Sequence, residues 1–272
     1  MCLILFAFQY QQSQPLVVAA NRDEFFGRKT EQAAFWKNCD SLLAGQDLEQ
    51  GGTWLGINKS GRFAAVTNFR EEAVQGKMPR SRGALPREFL QGNESPTTYL
   101  EKVIDYQDEF AGFNLLVGDS HQLFYFSNRQ SGIHQLQPGI YGLSNHLLDS
   151  PWPKVTTGKQ ELQNLLNDDH LTTDALIQMM RSTQPADDND LPSTSASLEL
   201  ERALSPRFIL DSERNYGTRC TTAFIIDNKG RARFSEQNYY RGGKKGARSF
   251  YEFATREAIQ PPSSAEVLDT RL

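Results

Sequence analysis

Residues Met1–Glu24 read MCLILFAFQYQQSQPLVVAANRDE. Two short apolar runs, Leu3–Phe8 and Leu16–Ala20, flank the polar segment Gln9–Pro15. Short runs rich in aliphatic and aromatic residues, bounded by turn-formers, read as the two strands of a hairpin. Folded about a midpoint near Gln12, paired residue numbers sum to about 24 or 25. Cys2 then lies opposite Arg22–Asp23, so the second residue of the chain meets the polar run Asn21-Arg22-Asp23-Glu24. On an ideal strand Asn21 and Asp23 share one face and Arg22 points to the other. Either Arg22 is turned by a bulge or it braces the opposite layer.

A second hairpin signal follows in GGTWLGINKSGRFAAVTNFR, residues 51–70. Thr53–Asn58 and Arg62–Thr67 are strand-like and are joined by Lys59-Ser60-Gly61. Folding about Ser60 pairs Thr53 with Thr67 and Gly52 with Asn68. The absent side chains of Gly51-Gly52 let a ligand or another backbone approach Asn68. Four more short strands, Phe113–Val117, Gln122–Ser127, Gly132–Gln135 and Gly139–Ser144, have connections too short for crossover helices, and are expected to form an antiparallel meander. Thr221–Ile226, Arg231–Glu236 and a segment near Ser249–Thr255 supply the last strands. Helical spacing marks Gly83–Leu90, Pro96–Phe110, Val155–Leu166, Thr172–Met180 and a short Leu198–Leu204. Phe25–Gln50 reads as irregular with a short strand near Leu42–Ala44, Glu71–Arg82 as an exposed loop, and the Pro/Ser/Asp-rich Ser182–Ser197 as a long mobile loop. Strands at both ends and helices in the middle indicate one α+β layered domain over residues 1–272.

A chain of 272 residues with 38% hydrophobic and 23% charged residues and a net charge of −4 can bury a sizeable core. There is no basic stripe, so no nucleic-acid partner is expected, and no apolar run long enough to span a bilayer. Met1–Phe8 lacks a basic n-region and a small-residue cleavage site, and the chain is read as cytoplasmic. Cys2, Cys39 and Cys220 are too few and too scattered for a disulfide framework or a zinc site, so no metal or cofactor is expected. The partner is a small-molecule substrate or ligand, and the oligomeric state is open.

Cys2 stands apart because of its place. Cys is small enough to follow an excised initiator Met. The chain would then begin with a thiol, titrating near ~8.5, and an α-amine, titrating near ~7.7–8.0. Nucleophile and base would share one residue, with no separate His. A conventional pair of Cys2 with His146 is the other route. Asp23 is the candidate to orient the amine, Asn68 and Asn145 to hold an oxyanion, and Arg22 and Arg219 to favour thiolate or bind an acidic substrate group. Asn-Arg-Asp-Glu after a strand also reads as a solvated turn, and Asn at a strand end as a turn-former.

The segments AANRDEF, GGTWLGIN, TNFR, SRG, GFNLL, YGLSN, LLDSPWPK and YGTRCTT, in this order, resemble the NRDE-motif family, also called the transport and Golgi organisation protein 2 family. The resemblance runs from Cys2 to about Glu236. It implies a fold similar to N-terminal nucleophile hydrolases, a four-layer αββα sandwich of two antiparallel sheets. It implies an N-terminal Cys that attacks an amide. Carried over by motif, the catalytic roles fall on Cys2, Asp23, Asn68 and Asn145, with Asn21, Arg22, Gly52 and Arg219 in binding or support. Those hydrolases carry Arg three residues before the Asp, whereas this chain has Ala20 there and Arg22 beside Asp23.

Two readings of function follow. In the first, the chain is an N-terminal cysteine hydrolase or acyltransferase acting on a small, non-peptide amide. In the second, it is a non-enzymatic carrier for haem or an acyl lipid, in line with the lipid, secretory and haem-mobilising themes that the resemblance brings. The sequence has no Cys-x-x-Cys-His for haem attachment.

Overall fold

The continuous apolar runs at the chain start imply strands buried on both faces, since a sheet with one wet face would alternate. In a computed structural model, which describes residues 2–71, 78–168, 171–194 and 196–255, this is what they form. Strands β1 (Cys2–Gln11) and β2 (Gln14–Phe25) make the expected hairpin, with Cys2 opposite Arg22 and Phe8 opposite Leu16. On its other side β2 pairs with β12 (Tyr216–Ile226), which continues into β13 (Arg231–Tyr239) and β14 (Lys245–Ala254). The outer neighbour of β1 is β10 (Gly139–Leu143), and β11 (Leu210–Asp211) adds to the end of β12. The second sheet runs in sequence order through β3 (Thr30–Trp36), β4 (Cys39–Asp47), β5 (Leu55–Asn58), β6 (Phe63–Asn68), β7 (Phe113–Gly118), β8 (Leu123–Ser127) and β9 (His134–Gln135). Every pairing is antiparallel.

The period-2 alternation of strand side chains sorts the core into three slabs. Ile4, Phe6, Phe8, Val18 and Phe224 point between the sheets and meet Leu43, Ile57, Phe63 and Leu116. The alternate residues Leu3, Leu5, Val17, Ala19 and Ile225 point outward against α3 (Pro153–Leu166) and α4 (Thr173–Met179) through Val155, Leu162 and Leu176. On the far side Leu42, Val66, Leu115 and Phe126 pack on α1 (Ala84–Gln91) and α2 (Pro96–Asp105). The result is the four-layer αββα sandwich. Each fully buried Phe or Leu contributes roughly 1.5–3 kcal/mol of apolar transfer.

Several expectations need correction. The meander ends at β9. β10 crosses to the other sheet and pairs with β1, because its inward-facing Leu143 belongs to the inter-sheet core beside Ile4. Phe25–Gln50 holds the β3–β4 hairpin. Its β3 is an edge strand with polar Thr30–Gln32, burying only Ala33 and Trp36, so its periodicity is faint. The second predicted helix stops at Asp105 and gives way to a 3-10 turn at Gln107–Glu109. β12 starts at Tyr216 rather than Thr221. Of the segment Glu71–Arg82, residues 72–77 lie outside the described residues, and Arg82 is partly buried rather than exposed. Within 182–194, 196 and 197 a 3-10 turn forms at Asp188–Asp190, and α5 (Leu198–Leu204) follows. Among the described residues no helix is long and apolar enough to cross a membrane.

Candidate active site

At the end of the sandwich where β1 begins, a cavity of about 120 Å³ opens between the sheets. Cys2 enters its wall from β1, Arg22, Asp23 and Glu24 from β2, and Trp54, Asn68 and Arg82 from the side of the second sheet. Cys2 and Arg22 are direct cross-strand partners and so share a face, the one that Ala20 and Ile4 continue into the core.

Asp23 is almost wholly buried. Its carboxylate accepts from Thr218 Oγ1 at 2.7 Å, and its backbone carbonyl accepts from the Tyr216 hydroxyl at 2.9 Å. The partner strand is bulged there: Thr218 opposes Asp23 and Cys220 opposes Arg22, leaving Arg219 as the extra residue. Burial pushes both the Cys2 thiol and the Asp23 carboxyl above their ordinary values. The Lys154 ammonium and the Thr218 hydroxyl pull Asp23 back down. Lys154 is itself buried; it donates to the Leu204 carbonyl at 3.0 Å, and burial lowers it to about 8, with Asp23 opposing the fall.

Arg22 resolves the choice left open by the strand alternation: the bulge is on the neighbouring strand, and Arg22 braces the opposite layer. Its guanidinium stacks on the Trp54 ring at 4.4 Å, 4.0 Å from Glu24, and its Nη1 has no hydrogen-bond partner among the described residues. Asn21 points the other way. Its Nδ2 donates to the carbonyls of Met180 (2.9 Å) and Arg207 (2.7 Å), and its Oδ1 accepts from Thr221 Oγ1 at 2.6 Å. It is bound into the helical layer, outside the cavity wall.

Asn68 lines the cavity, and Asn145 stands behind it. The Asn145 Nδ2 donates to the Asn68 carbonyl at 2.9 Å, and the Asn145 carbonyl accepts from the Arg70 N–H at 2.7 Å. Ser144 Oγ donates to the Cys2 carbonyl at 3.2 Å. The crossover of β10 therefore ties Cys2 to the end of β6. The expectation that Asn145 holds an oxyanion gives way to this clamp, since its Nδ2 is engaged and it is outside the cavity wall. Of the two approaches that Gly52 leaves open, the structure has the backbone one: a Cβ there would lie 2.4 Å from the Gly83 backbone, and the Thr53 N–H donates to the Gly83 carbonyl at 3.0 Å. Arg219 Nη1 donates to the carbonyls of Phe25 (2.8 Å) and Arg28 (3.1 Å), so it ties down the turn after β2 and is itself outside the cavity wall. His146 hydrogen-bonds Ser150 Oγ through Nδ1 and packs against Phe69 and Trp152.

Lys154, Arg82, Thr218 and Tyr216 escaped the reading of the sequence. Each lies in a segment already singled out (SPWPK, SRG, YGTRCTT), and that placement was the available signal. A lysine at a helix start and a threonine mid-strand look alike whether they face solvent or a carboxylate. A larger surface hollow of about 410 Å³ lies between α2 and the turn after β8. Its Arg129 is paired bidentately with Glu71, and its Asn128 caps the Phe113 N–H, so its one charged group is already engaged.

The architecture has a solved counterpart in the Caenorhabditis elegans N-acylethanolamine-hydrolyzing acid amidase ortholog: TM-score 0.50 at 11% identity, over 82% of this chain and 92% of that one. At that identity the likeness establishes the fold. In sequence, the Homo sapiens transport and Golgi organization protein 2 homolog is 34% identical over 257 residues, 88% of this chain and 93% of the relative. The Drosophila melanogaster transport and Golgi organization protein 2 is 29% identical over 267 residues, 87% of this chain and 92% of the relative. The family model for transport and Golgi organisation 2 matches residues 1–241. The chain belongs to the transport and Golgi organisation 2 family.

Proposed function

We propose that the chain is an N-terminal cysteine amidohydrolase that acts on a small amide once Met1 has been removed. The observation that carries this reading is the meeting of Cys2 with buried Asp23 in one cavity wall, with Asn68 across from them. Burial keeps the thiol protonated at neutral pH, so attack needs a base at hand. The freed α-amine of Cys2 takes the thiol proton, and sulfur forms a bond to the amide carbonyl carbon. Collapse of the tetrahedral adduct breaks the C–N bond, and the departing amine takes the proton from the ammonium. Water then cleaves the thioester, with the amine again as base, and returns the thiol. Asn68 is the oxyanion donor, with Asn145 positioning it; Asp23, held by Thr218, orients the ammonium. The amidase named among the fold relatives supports amides as the substrate class.

Intact-mass spectrometry of the purified protein tests the reading. The expected result is a chain lacking Met1, alkylated at Cys2 by a thiol reagent, that gains an acyl adduct from a panel of small amides. Cys2→Ala should lose the adduct. A chain that retains Met1 while cleaving amides, or that never acylates Cys2, overturns the assignment.

A further inference from the structure

The charged groups of the cavity are unequally committed. Asp47 Oδ2 is held by Arg28 Nε at 3.0 Å and Nη2 at 2.6 Å, and its Oδ1 accepts from the Glu49 and Gln50 N–H groups. Asp23 is held by Thr218. Glu24 accepts from the Phe25 N–H and stands 3.8 Å from Arg28 and 4.0 Å from Arg22, beyond hydrogen-bond reach of both. The cations differ. Arg22 is 5% exposed, yet its Nη1 is without a hydrogen-bond partner among the described residues. Arg82 donates to the Gly112 carbonyl at 3.1 Å and has no carboxylate within ion-pair distance among the described residues. Against the one loosely held carboxylate of Glu24, the wall therefore offers two cations, Arg22 and Arg82, that no carboxylate holds by a hydrogen bond among the described residues.

A buried guanidinium with an unused N–H is costly unless something satisfies it. Stacking on Trp54 occupies the face of the Arg22 guanidinium and leaves its edge, where the N–H groups project. That edge matches a planar oxyanion such as a carboxylate. As direct cross-strand partners, Arg22 and Cys2 have Cα atoms about 4.5–5.5 Å apart. Their side chains leave the sheet from adjacent points of one face, so a carboxylate close to a scissile amide falls on the Arg22 side of Cys2. The cavity of about 120 Å³ accommodates a group the size of an amino acid.

We propose that Arg22 and Arg82 form a carboxylate subsite, and that the substrate is an N-acyl amino acid whose small carboxylated amine portion occupies the cavity. This rests on the amidohydrolase reading and adds the substrate class to it. The alternative role for Arg22, charge support for the thiolate, would favour charged and neutral amides equally.

The test compares N-butanoylglycine with N-butanoylethanolamine, which replaces the carboxylate with a hydroxymethyl group. The full chain should prefer the carboxylate by at least about tenfold in kcat/KM, since charge-assisted hydrogen bonds are roughly twice as strong as neutral ones. Arg82→Gln should shrink that ratio about tenfold, and Arg82→Lys should restore part of it. Arg22→Gln should abolish the preference if the variant folds. Equal cleavage of the two amides by wild type, or a preference untouched in Arg82→Gln, overturns the subsite and leaves the hydrolase standing. If neither amide is cleaved, the hydrolase reading fails for this class, and calorimetry on the Cys2→Ala chain decides the subsite. Binding of N-butanoylglycine that is lost in Arg82→Gln upholds it, and no binding overturns it.

Discussion

Asn21 and Arg22 are neighbours on one strand, both polar and both almost wholly buried, and they have opposite states. Asn21 faces the helices with both its donors and its acceptor engaged by Met180, Arg207 and Thr221. Arg22 faces the space between the sheets with an N–H that nothing among the described residues engages. Burial and polarity alone therefore do not mark a functional residue. The distinction lies in whether the protein satisfies the group itself: the first kind builds the sandwich, and the second is the kind on which the proposed carboxylate subsite rests.

The most forceful way to break this comparison is Asn21→Leu. It removes two buried donors and an acceptor, and strands two main-chain carbonyls and the Thr221 hydroxyl. The expected loss is about 3–4 kcal/mol in urea unfolding, from several buried unsatisfied groups at ~1–3 kcal/mol each. Alkylation of Cys2 in the folded variant should keep its wild-type rate. A loss under ~1 kcal/mol would mean that Asn21 is not the anchor described.

Lys154 tests whether the helical side also reaches the site. With its pKa lowered from 10.5 to about 8 by burial, its neutral form is the one the fold prefers. Between these values the unfolded chain binds the proton and the folded chain does not, so stability rises with pH across that window. Relative to Lys154→Met, the wild type should gain about 2 kcal/mol between pH 8 and pH 10, at ~1.36 kcal/mol for each unit of pKa difference. Urea midpoints measured at both pH values provide the check, and parallel curves would contradict the burial argument.

The contrast also shows what a sequence can disclose. The β1–β2 register was legible because both runs are apolar throughout and the turn between them is short. That register brings Cys2 to Arg22. The β5–β6 register was legible too, as Leu55 opposite Ala65 and Ile57 opposite Phe63 follow from folding about Ser60. The β10 crossover was not, because a two-residue β9 and the strand after it read the same in a continued meander. Losing that crossover hid how Ser144 and Asn145 reach Cys2 and Asn68. The edge hairpin β3–β4 was lost for want of apolar alternation. Asn21 and Arg22 could be assigned to opposite faces from the strand period. Which one would be left unsatisfied depended on Trp54, Met180 and Arg207, all distant in the chain.

Thr218 lies where the two sides meet, and its effect should be the smallest. Its hydroxyl donates to Asp23 and accepts from the Ile209 N–H at 2.9 Å, so Thr218→Val disconnects both for about 1–2 kcal/mol. The loss should depend on pH. Asp23 is already raised by burial, and the Thr218 hydroxyl is one of the groups that hold it down. Without that donor the carboxyl rises further. A carboxyl raised in the folded state favours folding most below the ordinary carboxylate range, and that contribution is lost as pH rises through its folded pKa. The variant, raised further than wild type, loses more over that climb. Its deficit should therefore be smaller near pH 3, where Asp23 is protonated in both proteins, and larger at pH 7. If the amidohydrolase reading holds, the acidic limb of Cys2 acylation should move to higher pH in the same variant. A deficit independent of pH would assign Thr218 to the Ile209 N–H alone and place Asp23 with the self-satisfied groups, on the Asn21 side of the comparison.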